Sequence, residues 1–297
     1  MNLRDLKYFI AVADLRHFGR AAERCHVSQP TLSGQIKKME ETLGVVLFER
    51  TNRRVMLTEV GERVARSARR LLNEEKAIFE IAESARDPFA GPFKLGAFPT
   101  LASYIYPSLV PQIRAEMPNL KLILVEEKTD VLVEKLRQGT IDAALLALPI
   151  DERAFVKVDL FVDPFYLAVP RGHELAARSF VDQGIPAQFE LLLLEEGHCL
   201  RDQALDVCRS QGLGEYQDFR ATSLETLRQM VKAGTGITLI PKIAIDFDDA
   251  SVSYIPFAEP VPSRTIALFW RQTSPRGQVM EAVVDLVRHQ RGAPDNR

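Results

Sequence analysis

One stretch near the N-terminus constrains the fold more than any other: "GRAAERCHVSQPTLSGQIKKMEETLG", residues 19–44. Ser28 reads as a helix N-cap, because its hydroxyl can accept a hydrogen bond from a first-turn amide. Pro30 falls in that first turn, where its missing N–H is no loss. Leu32, Ile36, Met39 and Leu43 recur at helical spacing as a buried stripe, and Gly44 is placed to end the helix. Opposite the stripe stand Thr31, Ser33, Gln35 and Lys37, all short or hydrogen-bonding. A shorter helix in "GRAAERC" precedes it, with Ala21 and Ala22 allowing close packing and Cys25 behaving as a small buried hydrophobe. Earlier still, "LRDLKYFIAVADL" puts Leu3, Leu6, Phe9, Ile10 and Ala13 on one helical face. Three short helices, the third polar on its outer side, predict a helix-turn-helix whose third helix enters the DNA major groove. The competing reading is a small helical domain with a solvated charged face.

The next segment, "LFERTNRRVMLT", reads as a hairpin with Asn52 near its turn. Arg50, Arg53 and Arg54 are then available to phosphates, while Gln29, Thr31 and Ser33 face base edges, with Pro30 and Lys37 on the same surface. Charge agrees: residues 1–86 hold 16 Lys+Arg against 12 Asp+Glu, whereas the remainder holds 22 against 28. A mildly basic head on an acidic body suits a nucleic-acid partner. The run "FGRAAERCHVSQPTLSGQIKKMEETLGVVLFERT" closely resembles the winged helix-turn-helix of LysR-type transcriptional regulators. That resemblance implies that the helix from Ser28 is the DNA reader and that Arg50 is a basic wing residue.

From Thr58, "TEVGERVARSARRLLNEEKAIFEIAESAR" contains no proline and only Gly61. Val64, Ala68, Leu71, Ile78, Ala82 and Ala85 follow a 4-3 spacing interrupted by Glu75. Such a seam predicts pairing with a second copy of the helix or packing on the chain's own C-terminal part. Two readers on a two-fold axis would require a near-palindromic double-stranded DNA site. "DPFAGPF" then breaks the helix and marks a boundary near residue 90.

Beyond that boundary, short apolar runs alternate with amphipathic helices: "FKLGAF", "LKLILVE", "DAALLAL", "FYLAVP", "ELLLLEE", "ITLIP", "VSYIPF" and "TIALFW". The alternation predicts an α/β sheet with helices on both faces. "SLETLRQMVKAG" adds a packing helix capped by Ser223. Ligands of α/β sheets sit beyond the carboxyl ends of strands, near helix N-termini. Thr100, Thr129 and the pair His198–Cys199 each follow such a strand. The family resemblance implies a periplasmic-binding-protein-like body of two α/β subdomains, crossing out near residue 163 and returning near 265. The fold class expected is therefore α+β multidomain: a winged helix-turn-helix over 1–58, a linker and dimerisation helix over 59–87, and a regulatory domain over 88–297. Its subdomains are expected at about 88–163 plus 265–297, and 164–264.

"GHCLRDQALDVC" places Cys199 and Cys208 nine residues apart in one amphipathic helix. At roughly 1.5 Å per residue they are separated by about 13.5 Å, on opposite faces. A disulfide needs Cα atoms within about 7 Å, so the pair cannot bond while the helix stands. Either both are inert and buried, or oxidation refolds the segment and acts as a switch. A helix N-terminus with His198 and Arg201 nearby favours a Cys199 thiolate, and Glu195 and Glu196 oppose it.

This segment, with "FRATSLETLRQMVKAGTGITLIP", resembles the hydrogen-peroxide-sensing branch of the LysR-type regulators along essentially the whole chain. The resemblance implies Cys199 as peroxidatic, Cys208 as resolving, and activation of transcription of antioxidant genes after their disulfide forms. It further implies a peroxide pocket of Thr100, Thr129, His198 and Arg264 supported by Asp202, and homodimers assembling to a homotetramer that engages RNA polymerase. The chemistry needs no metal and no cofactor, and the chain is expected not to be an enzyme. Two other readings stay open: a LysR-type regulator sensing a small organic acid, and a thiol peroxidase with an appended DNA-binding head. A cytoplasmic location without membrane is expected, because no apolar run approaches the roughly 20 residues that span a bilayer. Three cysteines in 297 residues also argue against a secreted disulfide framework.

Overall fold

The computed structural model describes residues 1–50, 55–84, 87–150, 153–209 and 220–291. The chain divides into two compact units, Met1–Arg86 with Gln138–Thr140, and Asp87–Arg137 with Ile141–Arg297.

The first unit begins with α1 (Leu3–Leu15), α2 (Phe18–Arg24) and α3 (Gln29–Leu43). Local chemistry sets the ends of α3. The Ser28 hydroxyl accepts the Thr31 amide at 3.3 Å, and Gly44 closes the helix at φ +68, a left-handed conformation suited to glycine. Leu32, Ile36 and Met39 are buried against Leu6, Phe9 and Val12 of α1 and Ala21 and Ala22 of α2. Leu43, expected in the stripe, is exposed, as is Leu3 at the opposite end of the bundle's sequence. Each sits at a helix terminus, beyond the reach of the neighbouring helices. A two-strand wing follows, β1 (Phe48–Arg50) antiparallel to β2 (Val55–Leu57), pairing Phe48 with Leu57. Residues 51–54, with Asn52, Arg53 and Arg54, lie outside the described residues.

Helix α4 (Glu59–Ser84) runs 26 residues. Gly61 lets it start tight against the wing: a Cβ there would lie 2.2 Å from the Leu47 carbonyl oxygen. Ala65 and Ala68 pack into the head's own core, with Lys7–Glu75 at 2.9 Å and Arg69–Asp14 at 2.6 Å alongside. Glu75, which interrupts the apolar seam, is therefore committed to an ion pair with α1. Further along, Leu71, Ile78 and Phe79 are exposed. Ala85 lies outside the described residues.

The second unit contains β3 (Gly91–Ala97), α5 (Pro99–Glu116), β4 (Leu120–Glu126), α6 (Thr129–Arg137), β5 (Ala143–Ala147) and β6 (Phe155–Pro170). After these come β7 (Leu193–Leu194), α7 (Cys199–Arg209), β8 (Arg220–Ala221), α8 (Leu224–Lys232), β9 (Thr238–Pro241), β10 (Val252–Pro256), β11 (Ser263–Arg271) and α9 (Gly277–Arg291). Its main sheet has the order β10-β6-β11-β5-β3-β4, with β9 also on β6. Strand β3 is parallel to β4 and β5, whereas β11 is antiparallel to β5 and β6.

Strand β6 departs from the sequence expectation. "FYLAVP" is only the end of a 16-residue strand. Residues 155–164 pair with β11, and residues 165–170 pair with β9 and β10. The strand thus serves two apolar cores. One gathers buried side chains from 93–160 and 266–287, including Leu95, Leu101, Leu145, Phe269 and Val283. The other gathers them from 165–257, including Phe165, Leu192, Leu227 and Ile255. "ELLLLEE" likewise yields only the two-residue β7, paired with β8, plus a bridge from Leu191 to Ile237. With so short a partner, its four leucines are held by core packing rather than by a ladder.

Candidate functional site

Two surfaces carry the residues singled out by sequence. On the head, Gln29, Pro30, Thr31 and Lys37 are exposed along α3 and Ser33 is half-buried. The Thr31 hydroxyl lies 2.7 Å from that of Ser28, so the cap also fixes this side chain. Arg50 is placed by its backbone pairing with Val55 in the wing, and Arg53 lies outside the described residues. Cys25 sits at the end of α2, partly buried against the head core, and burial pushes its thiol up against the opposing effect of Arg24.

The second site is built where three helices of the second unit begin. Thr100 opens α5 after β3, Thr129 opens α6 after β4, and Cys199 opens α7. Each follows a strand or strand-like segment, so three helix N-termini supply backbone N–H groups and positive dipole ends. Arg264, second residue of β11, reaches this point with its side chain fully buried. Its Nη1 donates to Thr100 Oγ1 at 3.0 Å and its Nη2 to the Thr100 carbonyl at 3.2 Å. Phe98 and Phe165 flank the guanidinium, with ring centroids 5.1 and 5.9 Å from Cζ.

Cys199 belongs to a helix whose Leu200, Ala204, Leu205 and Val207 are buried in the second core, yet its own side chain packs on the first. Burial is the largest influence on its thiol and holds it above its ordinary value. Arg264, the Thr129 hydroxyl and the Leu200 amide act the other way, and Asp202 adds to the rise. Thr129 Oγ1 is itself buried and has no other hydrogen-bond partner among the described residues. Between His198 and Arg201 on one side and Glu195 and Glu196 on the other, the sequence left the direction of the thiol's shift open, and burial sets it upward. Arg201 is buried and donates to the Leu194 carbonyl at 3.3 Å, and the cation acting on Cys199 is Arg264. Desolvation outweighs that charge and the hydrogen bonds from Thr129 and Leu200.

His198 is buried beside the thiol's helix turn. Burial holds its imidazole below the usual range, reinforced by Lys128 and opposed by Glu195, whose Oε1 lies 3.8 Å from Nε2. Lys128 itself bonds Glu195 Oε1 at 2.6 Å and the Glu196 carbonyl at 2.9 Å. Gly197 permits that approach: it has φ +86, and a Cβ there would come within 3.1 Å of the Lys128 side chain. Asp202 is exposed in the first turn of α7. Cys208 lies in the last turn of the same helix, so the backbone keeps the two cysteines about 13.5 Å apart.

Two participants escaped the sequence reading. Asp163 is 2% exposed and takes Arg264 Nε and Nη2 on one oxygen, at 3.0 and 2.9 Å. Lys128 is the other. A signal for the first was available: an acid inside "LFVDPFYLAV" and a base inside "SRTIALFW" are each isolated in apolar strands, and buried charges require partners. Lys128 carried no such signal, because it adjoins a run of charged residues.

The family model described as bacterial regulatory helix-turn-helix protein, lysR family, matches residues 3–62, and the LysR substrate binding domain matches residues 86–292. The chain is 44% identical over 295 residues to the hydrogen peroxide-inducible genes activator of Pectobacterium carotovorum subsp. carotovorum, covering 98% of each chain. Among solved structures, a full-length cysteine-to-aspartate mutant of OxyR from Pseudomonas aeruginosa is similar at TM-score 0.81 and 40% identity, over 97% of this chain and 95% of that one. A cysteine-to-serine mutant of Corynebacterium glutamicum OxyR with hydrogen peroxide bound is similar at TM-score 0.67 and 32% identity, over 98% and 94%.

Proposed function

The chain belongs to the LysR family of bacterial transcription regulators, and from that premise we propose that it is a DNA-binding activator of antioxidant genes switched by hydrogen peroxide. The observation that carries the reading is the placement of Cys199: at the start of a helix, under Arg264 and Thr129, with Cys208 on the same helix beyond bonding reach. The peroxide-bound relative from Corynebacterium glutamicum supports the choice of ligand.

The chemistry follows from those groups. The thiol rests protonated because burial disfavours the anion. As the proton leaves, Arg264 and Thr129 stabilise the developing thiolate. Its sulfur attacks one peroxide oxygen, the O–O bond breaks, and the second oxygen departs with the thiol proton as water, leaving a sulfenic acid. The Cys208 thiol then attacks that sulfur and a second water leaves, giving the disulfide. Thr100 and His198 line the oxygen side, and the exposed Asp202 supports the first turn of α7. No metal or cofactor enters either step. One peroxide is consumed per disulfide on either reading, but a thiol peroxidase must in addition turn over rapidly with a reductant, which a sensor need not.

Bonding the two sulfurs requires α7 to unwind, which draws Leu200, Ala204, Leu205 and Val207 out of the second core. That rearrangement is the signal. Residues 1–58 bind double-stranded, near-palindromic promoter DNA through α3 and the wing, 59–87 dimerise, and 88–297 sense peroxide. Exposed Leu71, Ile78 and Phe79 on α4 support a homodimer, while assembly to a homotetramer and contact with RNA polymerase rest on the family resemblance. No described helix is long and apolar enough to cross a membrane, in keeping with a cytoplasmic regulator.

The test treats purified, reduced protein with one equivalent of hydrogen peroxide, maps disulfides by mass spectrometry and footprints promoter DNA in parallel. A Cys199–Cys208 bond together with an altered footprint is expected. No bond and an unchanged footprint would sink the switch, and a Cys199→Ser variant that still responded would favour a small organic acid as effector.

A further inference from the structure

Arg264 carries a full positive charge into a site with no solvent around its side chain. Burying an unpaired guanidinium is costly, so its orientation and effective charge must be set by whatever faces it. Asp163 is that group. The two residues are register partners on β6 and β11, adjacent where β6 passes from one core to the other. Asp163 Oδ2 accepts Arg264 Nε at 3.0 Å and Nη2 at 2.9 Å. Oδ1 accepts the Ile243 amide at 3.0 Å, so neither carboxylate oxygen is free to turn. Asp163 and the Thr100 carbonyl thereby occupy Nε and both hydrogens of Nη2, and Thr100 Oγ1 takes one hydrogen of Nη1. Among the described residues, no further acceptor takes the second Nη1 hydrogen.

We propose that Asp163 is a positioning residue of the thiol site: it fixes the Arg264 guanidinium and offsets a set share of its charge, and so determines how strongly that charge acts on Cys199. It touches neither sulfur nor peroxide. Its influence runs through Arg264 alone. The proposal rests on the reading of Cys199 as the reactive thiol, but its test does not use peroxide, DNA or the disulfide.

The measurement is the rate of Cys199 alkylation by iodoacetamide against pH on the reduced full-length protein, resolved from Cys25 and Cys208 by peptide mass spectrometry. Asp163→Asn keeps the shape and removes the negative charge, so the midpoint is expected to fall by about one pH unit, or about tenfold more thiolate at a given pH below it. Asp163→Glu retains the charge and is expected to restore the parent midpoint to within a few tenths of a unit. In an Arg264→Gln background, D163N is expected to leave the midpoint where R264Q alone puts it. A midpoint that moves equally with D163N and D163E, or with neither, overturns the proposal, because a packing role treats both alike. A D163N shift that persists without Arg264 overturns it as well, because the carboxylate would then act on the thiol directly. Should D163N alone fail to fold, the decision passes to R264Q and the double variant, whose buried pair is two neutral amides. Equal midpoints there uphold a role through Arg264, and unequal ones refute it.

Discussion

Ala204 sits at the middle of α7 with 3% of its surface exposed, and its substitution by glycine weighs the helix against the disulfide. Glycine in a helix interior costs about 1 kcal/mol relative to alanine. Loss of the buried methyl costs about 0.8 kcal/mol more. Both penalties fall on the reduced protein alone if bonding Cys199 to Cys208 unwinds α7. The reduced state is therefore raised by about 2 kcal/mol, and since about 30 mV corresponds to about 1.4 kcal/mol for a two-electron couple, Ala204→Gly should make the potential about 40 mV more negative. Equilibration in graded dithiothreitol buffers, with trapped thiols counted by mass spectrometry, reads the shift. An unchanged potential, or a shift to more positive values, would mean that α7 remains folded in the oxidised protein and that the switch lies elsewhere.

Other consequences are smaller. Ser28→Ala removes the cap of α3 and should destabilise the head by about 1 kcal/mol, read as a lower Tm of the DNA-binding unit, with promoter binding weakened in step. His198, held down by burial and by Lys128, takes up a proton less readily in the native than in the unfolded chain. Its contribution to stability is therefore full above about pH 6.5 and declines as pH falls through that value, which hydrogen exchange at the start of α7 would follow. Lys128→Ala should move the imidazole titration upward by NMR; a downward move would contradict the charge assignment.

Much of the head was legible because its determinants are local. A cap at Ser28, a proline in the first turn and Gly44 at the end specify α3 wherever the chain goes. The body was legible as α/β for the same reason: "LKLILVE" and "TIALFW" are strands by composition. What escaped depends on distant partners. The part of β6 before "FYLAVP" carries Lys157, Asp159 and Asp163, which break its apolar pattern, yet it is held by β11 more than 90 residues away. Among the sequence neighbours of Cys199, Arg201 donates to the Leu194 carbonyl, whereas Arg264, which only the family resemblance nominates, arrives from another strand. Thr100 and Thr129 could be nominated from strand ends, and Arg264 from the family resemblance. That Asp163 holds Arg264 in place is a fact of tertiary contact, 101 residues apart in sequence.

The most direct measurement is hydrogen exchange across α7, taken before and after one equivalent of hydrogen peroxide and read together with the peptide map. Reduced protein should show protected amides from residue 203 to 209. Oxidised protein should lose that protection while a Cys199–Cys208 cross-linked peptide appears. A cross-link without loss of protection, or peroxide consumed without a cross-link, would contradict a switch that works by unwinding this helix.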